Sequence, residues 1–90
     1  MLKTIACCCG SGVGSSMLLQ LSVEEVLHDE GIDGISVIHL SITQLQQDAA
    51  DLFILSKDLI HFSEDLKNCI YLNSVFDIEE IRNKLMKELK

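Results

Sequence analysis

Leu2-Lys3-Thr4-Ile5-Ala6-Cys7-Cys8-Cys9-Gly10-Ser11-Gly12-Val13-Gly14-Ser15-Ser16 is the stretch that decides the fold. Residues 2–8 form an apolar run around Ile5, Ala6 and the cysteines, with no polar alternation. Such a run reads as a strand buried on both faces, and so central in a parallel sheet. The run breaks at Gly10-Ser11-Gly12-Val13-Gly14. From Ser15 or Ser16 the hydrophobic period becomes helical: Leu19, Val23, Val26 and Leu27 fall at i, i+4, i+7 and i+8, with Glu24, Glu25, His28 and Asp29 opposite. Gly31 closes this helix.

The same alternation continues down the chain. Residues 35–40 are a β-branched run, followed by Ser41, which with Gln44 has the spacing of a capping box. Residues 51–55 predict a third strand, 58–65 a short helix and 69–72 a fourth strand. Asp77 and Glu80 predict a second capping box, opening a helix whose apolar side is Ile78, Ile81, Leu85 and Leu89; Lys84, Lys87 and Lys90 gather near its negative end. Strands alternating with helices over short connections imply right-handed βαβ units, and so an α/β fold: a four-stranded parallel sheet flanked by helices, one domain over residues 1–90. In such sheets function sits at the carboxyl ends of the strands, in the loops after Cys8, Leu40, Leu55 and Leu72.

Composition narrows the function classes. Ninety residues, 48% hydrophobic and 23% charged, support one core and exclude separate substrate and cofactor lobes. Fourteen acidic against seven basic residues give a net charge of -7, which opposes binding to nucleic acid or to an anionic membrane surface. No apolar run approaches the length of a spanning helix, and no export signal is read, so direct membrane insertion is not expected. The four cysteines, Cys7, Cys8, Cys9 and Cys69, do not form the dispersed framework of a secreted disulfide scaffold, which fits a reducing, cytoplasmic setting.

The chemistry is concentrated in Cys9-Gly10-Ser11-Gly12-Val13-Gly14-Ser15-Ser16. Three glycines in five positions permit positive φ and let the N–H groups turn inward, as a nest for an anion at the positive end of a helix. The fold class therefore carries a phosphatase-like phosphate-binding loop after strand one, with Cys9 at its mouth as a nucleophile aimed at a bound phosphoryl group. Gly14 stands where a Walker A loop has its lysine, and the G-x-G-x-G spacing departs from the dinucleotide fingerprint. Cysteine phosphatases use C-x5-R-[ST]; here Ser15 replaces the arginine and Ser16 the hydroxyl residue. Without that cation an intermediate would hydrolyse slowly, which favours a phosphoryl carrier over a phosphatase.

A cysteine closing an amino-terminal strand, followed by Gly-x-Gly-x-Gly-Ser-Ser and a helix containing Met17 and Leu18, resembles the IIB component of the bacterial phosphoenolpyruvate-dependent sugar phosphotransferase system, in the ascorbate branch of the lactose/cellobiose-type superfamily. The resemblance implies a sugar phosphotransferase component with a phosphocysteine intermediate. Cys9 would accept phosphate from a phosphohistidine of a IIA protein and pass it to sugar bound by the membrane component IIC. Gly10, Ser11, Gly12, Val13, Gly14, Ser15 and Ser16 would cradle the phosphate. The resemblance also implies a cytoplasmic protein in peripheral association with IIC. Galactitol-type components share the scaffold and remain an alternative. So does a cysteine-based redox or metal-binding domain, although three consecutive cysteines suit one tetrahedral ion poorly, and no metal or cofactor is expected.

Outside the loop, Lys57 after strand three and His39 at the end of strand two are candidate accessory residues; each is also an ordinary surface residue in a competing reading. Cys7, Cys8 and Cys69 are expected to fill the core as small hydrophobes. Met17 and Leu18 either fill the core or form an apolar docking patch beside the loop. Ser15 or Ser16 is expected to cap the first helix as well as to face the phosphate.

Overall fold

In a computed structural model that describes residues 2–10 and 12–89, the chain runs β1 (Thr4–Cys8), α1 (Val13–Asp29), β2 (Ser36–His39), β3 (Leu52–Ser56), β4 (Cys69–Leu72) and α2 (Ile78–Leu89). Short 3-10 turns at Ile42–Gln44, Gln47–Ala49 and Lys57–Phe62 fill the links around β3. The strands form one parallel sheet in the order β2-β1-β3-β4. The apolar, non-alternating β1 is central, as its sequence requires, with Ile5 opposite Val37 on one side and Leu52 on the other.

Chain direction sets the layers. The link from β1 to β2 steps one way, whereas β2 to β3 and β3 to β4 step the other way; right-handed connections put such links on opposite faces. One face carries α1 and α2, where Ile5, Cys7 and Ile54 meet Leu19, Val23, Ile81 and Leu85. On the other, Ala6, Cys8, Phe53 and Leu55 are covered by Leu59 and the 3-10 segments. Each large side chain buried in either layer contributes roughly 1.5–3 kcal/mol relative to exposure. The predicted apolar stripe of α1 is buried throughout, at Leu19, Val23, Val26 and Leu27.

Two helix boundaries differ from the sequence expectation. Helix α1 begins at Val13, not at Ser15 or Ser16, and its N-cap is Gly12, with φ 118° and ψ -176°. That backbone region is essentially restricted to glycine, so Gly12 turns the chain into the helix abruptly and leaves both serines inside the first turns. The segment expected to be helical over 58–65 is the 3-10 turn Lys57–Phe62. At the far end of α1 the Ile32 N–H reaches Leu27 O and the Gly31 N–H reaches His28 O, the paired bonds of a Schellman motif with Gly31 at φ 71°.

The two expected capping boxes also diverge. Gln44 Oε1 accepts from the Ser41 N–H at 2.9 Å, as its spacing predicts. Asp77 Oδ1 accepts from the N–H groups of Glu79 and Glu80, but Glu80 does not reach back to Asp77. It turns to the Asn73 and Ser74 N–H groups, at 2.7 and 3.0 Å, and to Lys84 Nζ at 2.8 Å. The loop after β4 offers free backbone donors, and a carboxylate gains more from two of them than from one. Lys84 also donates to Tyr71 O at 2.7 Å, fastening α2 to β4. Lys90 lies outside the described residues.

Candidate functional site

Connections leave β1 and β3 in opposite directions, so the crevice between their carboxyl ends is the topological switch point of the sheet. Cys9 follows β1 there, and Ser56 ends β3. The Gly10 N–H donates to Ser56 Oγ at 3.0 Å, tying the two strand ends together. The Cys9 N–H donates to Ser16 Oγ at 3.0 Å, and the Ser16 hydroxyl donates to Gly12 O at 3.1 Å. The Gly12 N–H turns back to Cys9 O at 3.2 Å, and the Ser16 N–H goes to Gly12 O.

These bonds assign roles within the loop. Ser16 is buried and its single hydroxyl proton is committed to Gly12 O, so it braces the turn; it is not the helix cap. The N–H groups of Gly10, Gly12 and Ser16 have protein acceptors. Among the described residues no side chain caps α1, which leaves the first-turn N–H groups of Val13, Gly14 and Ser15 as the donors aimed out of the helix. Of the three loop glycines only Gly12 has positive φ. Gly10 matters through its neighbour: a Cβ there would overlap Asp58 Oδ2 and stand 2.9 Å from its Cγ, so a larger residue requires that carboxylate to swing aside. Ser11 lies outside the described residues.

A cleft of about 210 Å³ opens on this loop, lined by Cys9, Gly10, Gly12 and Ser16 on one side and by Ser41, Ile42 and Thr43 on the other. The Ser41 and Thr43 hydroxyls are 3.0 Å apart at its rim. The sequence marks Ser41 only as a helix cap and Asp58 only as the start of the expected helix over 58–65, and it does not mark Thr43. Their signal is position: they follow the carboxyl ends of β2 and β3, beside the loop that follows β1.

The cysteine triplet is divided by the pleat. Cys7 belongs to the layer under α1 and Cys8 to the opposite layer, while Cys9 is 5% exposed and lines the cleft. Burial pushes the Cys7 thiol far up, and the charges of Glu24 and Cys8 add to it. Burial also raises Cys8, to about 11, with Cys9 and more weakly Asp58 acting in the same direction. Both are therefore held as protonated core thiols. Cys69 is only half-buried at the sheet edge, where burial raises its thiol as well. Among the described residues no three Cys, His, Asp or Glu side chains gather as a metal site.

The accessory candidates fall at the expected edge but are engaged differently. His39 Nδ1 lies 2.6 Å from Gln20 Oε1 of α1, a contact that requires the proton on Nδ1 and leaves Nε2 as acceptor in the neutral ring. Lys57 is exposed at the start of its 3-10 turn; the side chain against the loop is that of its neighbour Asp58. Met17 and Leu18 are 48% and 52% exposed, so they do not fill the core. With Leu21 and Phe76 they leave an apolar strip along α1 and the segment before α2, where Leu18, Leu21 and Phe76 line a shallow groove.

A family model described as "PTS system, Lactose/Cellobiose specific IIB subunit" matches residues 4–87. The chain belongs to this family. As a IIB subunit it is a phosphotransfer component of a sugar phosphotransferase system, a family whose general partners are IIA and IIC components. Comparison with curated proteins finds no match. No helix among the described residues of this IIB subunit is long and apolar enough to cross a membrane.

Proposed function

We propose that this IIB subunit carries phosphate on Cys9 and that its eventual acceptor is an ascorbate-type sugar. Cys9 Sγ attacks the phosphorus of a IIA phosphohistidine: the S–P bond forms as the N–P bond breaks, and the imidazole leaves with the thiol proton. In the second step a sugar hydroxyl held by IIC attacks the phosphocysteine. An O–P bond replaces the S–P bond, and the hydroxyl proton returns to the thiol. The observation that carries this reading is the position of Cys9: it alone of the three consecutive cysteines lines a cleft, at the switch point and at the amino end of α1.

Gly10 to Ser16 serve as the cradle, with the first-turn N–H groups of α1 as donors to phosphate oxygens and Ser16 holding Cys9 in place. The exposed strip of Met17, Leu18, Leu21 and Phe76, which begins in the first turns of α1 after this loop, supports docking of IIA and IIC, with the chain cytoplasmic and peripheral to IIC. Residues 1–90 act as one IIB domain. The galactitol-type reading shares all of this chemistry and differs only in the sugar.

The test is incubation with phosphoenolpyruvate, the general phosphotransferase proteins and either the ascorbate or the galactitol IIA, followed by intact mass spectrometry at neutral pH. One added phosphoryl group that depends on a IIA protein and is absent from Cys9→Ser is the expected result. An adduct that survives in Cys9→Ser moves the site elsewhere, and a preference for the galactitol IIA replaces the ascorbate assignment.

A further inference from the structure

The phosphate cradle has an acid pressed against it. Asp58, on the 3-10 turn after β3, places its carboxylate beside Gly10, in the space that a Cβ at that position would enter. Its side chain is exposed, and none of the ion pairs among the described residues includes it. The Ser56–Gly10 hydrogen bond fixes the approach, because Ser56 lies two residues before Asp58 and grips the backbone that Asp58 touches. A site that binds an anion through main-chain donors, without an arginine, thus has a negative charge beside it.

The geometry points to Asp58 as an electrostatic counterweight in the cradle: its carboxylate opposes an anion seated at Cys9, so that a phosphoryl group is held loosely enough to be passed on. This inference rests on the phosphoryl-carrier reading. A carboxylate beside the seat of an anion, screened by water to an effective dielectric between those of a protein surface and of bulk solvent, weakens binding by an order of magnitude, about ten-fold. A carrier with no counterweight would hold its phosphoryl group more tightly and transfer it less readily. The competing role for Asp58 is structural, as an acid at the amino end of the Lys57–Phe62 turn.

The test is titration of ¹⁵N-labelled protein with inorganic phosphate, followed through the amide resonances of Gly10 to Ser16. Wild type is compared with Asp58→Asn, which keeps the shape, and with Asp33→Asn, which makes the same change in net charge in the turn between α1 and β2. The expected result is phosphate affinity about ten-fold higher in Asp58→Asn than in wild type or Asp33→Asn, with the gap shrinking as sodium chloride is raised. Loop amides that titrate equally in all three proteins overturn the role of Asp58 and leave the cradle intact. A gap that persists undiminished in high salt also overturns it, as does lower stability of Asp58→Asn with unchanged affinity. Loop amides that do not respond to phosphate in any variant overturn the cradle itself, and the inference with it.

Discussion

The hydroxyl of Ser16 bridges two turns of the loop: it accepts the buried Cys9 N–H at 3.0 Å and donates to Gly12 O at 3.1 Å. Ser16→Ala removes both bonds at once and leaves a buried N–H without a partner. The expected cost is about 1–3 kcal/mol, read by urea denaturation at neutral pH. On the proposed phosphoryl-carrier reading, the loss should be accompanied by weaker phosphorylation of Cys9, because the same hydroxyl holds the backbone N–H of that residue. A Ser16→Ala protein as stable as wild type would show that Ser16 does not brace the loop.

The two flanking glycines predict opposite outcomes. Gly12 has φ 118° and ψ -176°, so Gly12→Ala is strained although nothing occupies the space around it; the expected cost is about 1–3 kcal/mol. Gly14 sits in the first turn of α1 with no atom near a built Cβ and without positive φ, so Gly14→Ala should stabilise by about 0.5–1 kcal/mol. Thermal melts of the two variants check the contrast. Equal shifts of one sign would contradict the assignment of Gly12 as the turning residue.

What the sequence made legible follows from how local each signal is. The apolar run of β1, the stripe of Leu19, Val23, Val26 and Leu27, and the Gly31 stop are each written within a few residues, and each was readable. The start of α1 was not, because the spacing of serines suggests a cap whereas the turn depends on Gly12, whose special conformation leaves no mark in residue type beyond being glycine. Ser56 and Asp58 are far from Cys9 in sequence; the order β2-β1-β3-β4 brings them to the loop. The switch-point rule points to the segments after Leu40 and Leu55, and the polar residues that follow those two leucines, Ser41 and Ser56, are the ones that reach the cleft and the Gly10 N–H. Lys57 and Asp58 show the limit of such reasoning: adjacent residues of opposite charge, of which the backbone direction sends the acid to Gly10.

Alkaline pH should loosen the fold through the core thiols. Native Cys8 titrates at about 11 against an ordinary 9.0, and Cys7 is raised as well, so between these values the unfolded chain loses its protons first. The contribution of these thiols is complete below about pH 9 and is lost as pH rises through the native values. Under reducing conditions, urea denaturation at pH 8 and pH 10.5 should show the decline. Cys8→Ala should have a shallower decline, together with a cavity cost at neutral pH. An unchanged slope in Cys8→Ala would mean that the thiol is not the group responsible.

Glu80 predicts the acid side. Burial acts to raise its carboxyl, but the N–H groups of Asn73 and Ser74 and the Lys84 ammonium outweigh burial and bring it from 4.5 down to about 2. Because the native value is depressed, the unfolded chain binds the proton first. The stabilisation is therefore present above about pH 4.5 and is lost as pH falls through 2. Glu80→Gln should cost about 1–3 kcal/mol at neutral pH, since two backbone donors and an ammonium lose their charged acceptor. It should also flatten the acid limb of the stability profile between pH 4.5 and 2, measured by urea denaturation. If Glu80→Gln instead keeps the full acid slope, another carboxylate governs it; the geometry singles out Glu80 because it joins the loop after β4 to α2.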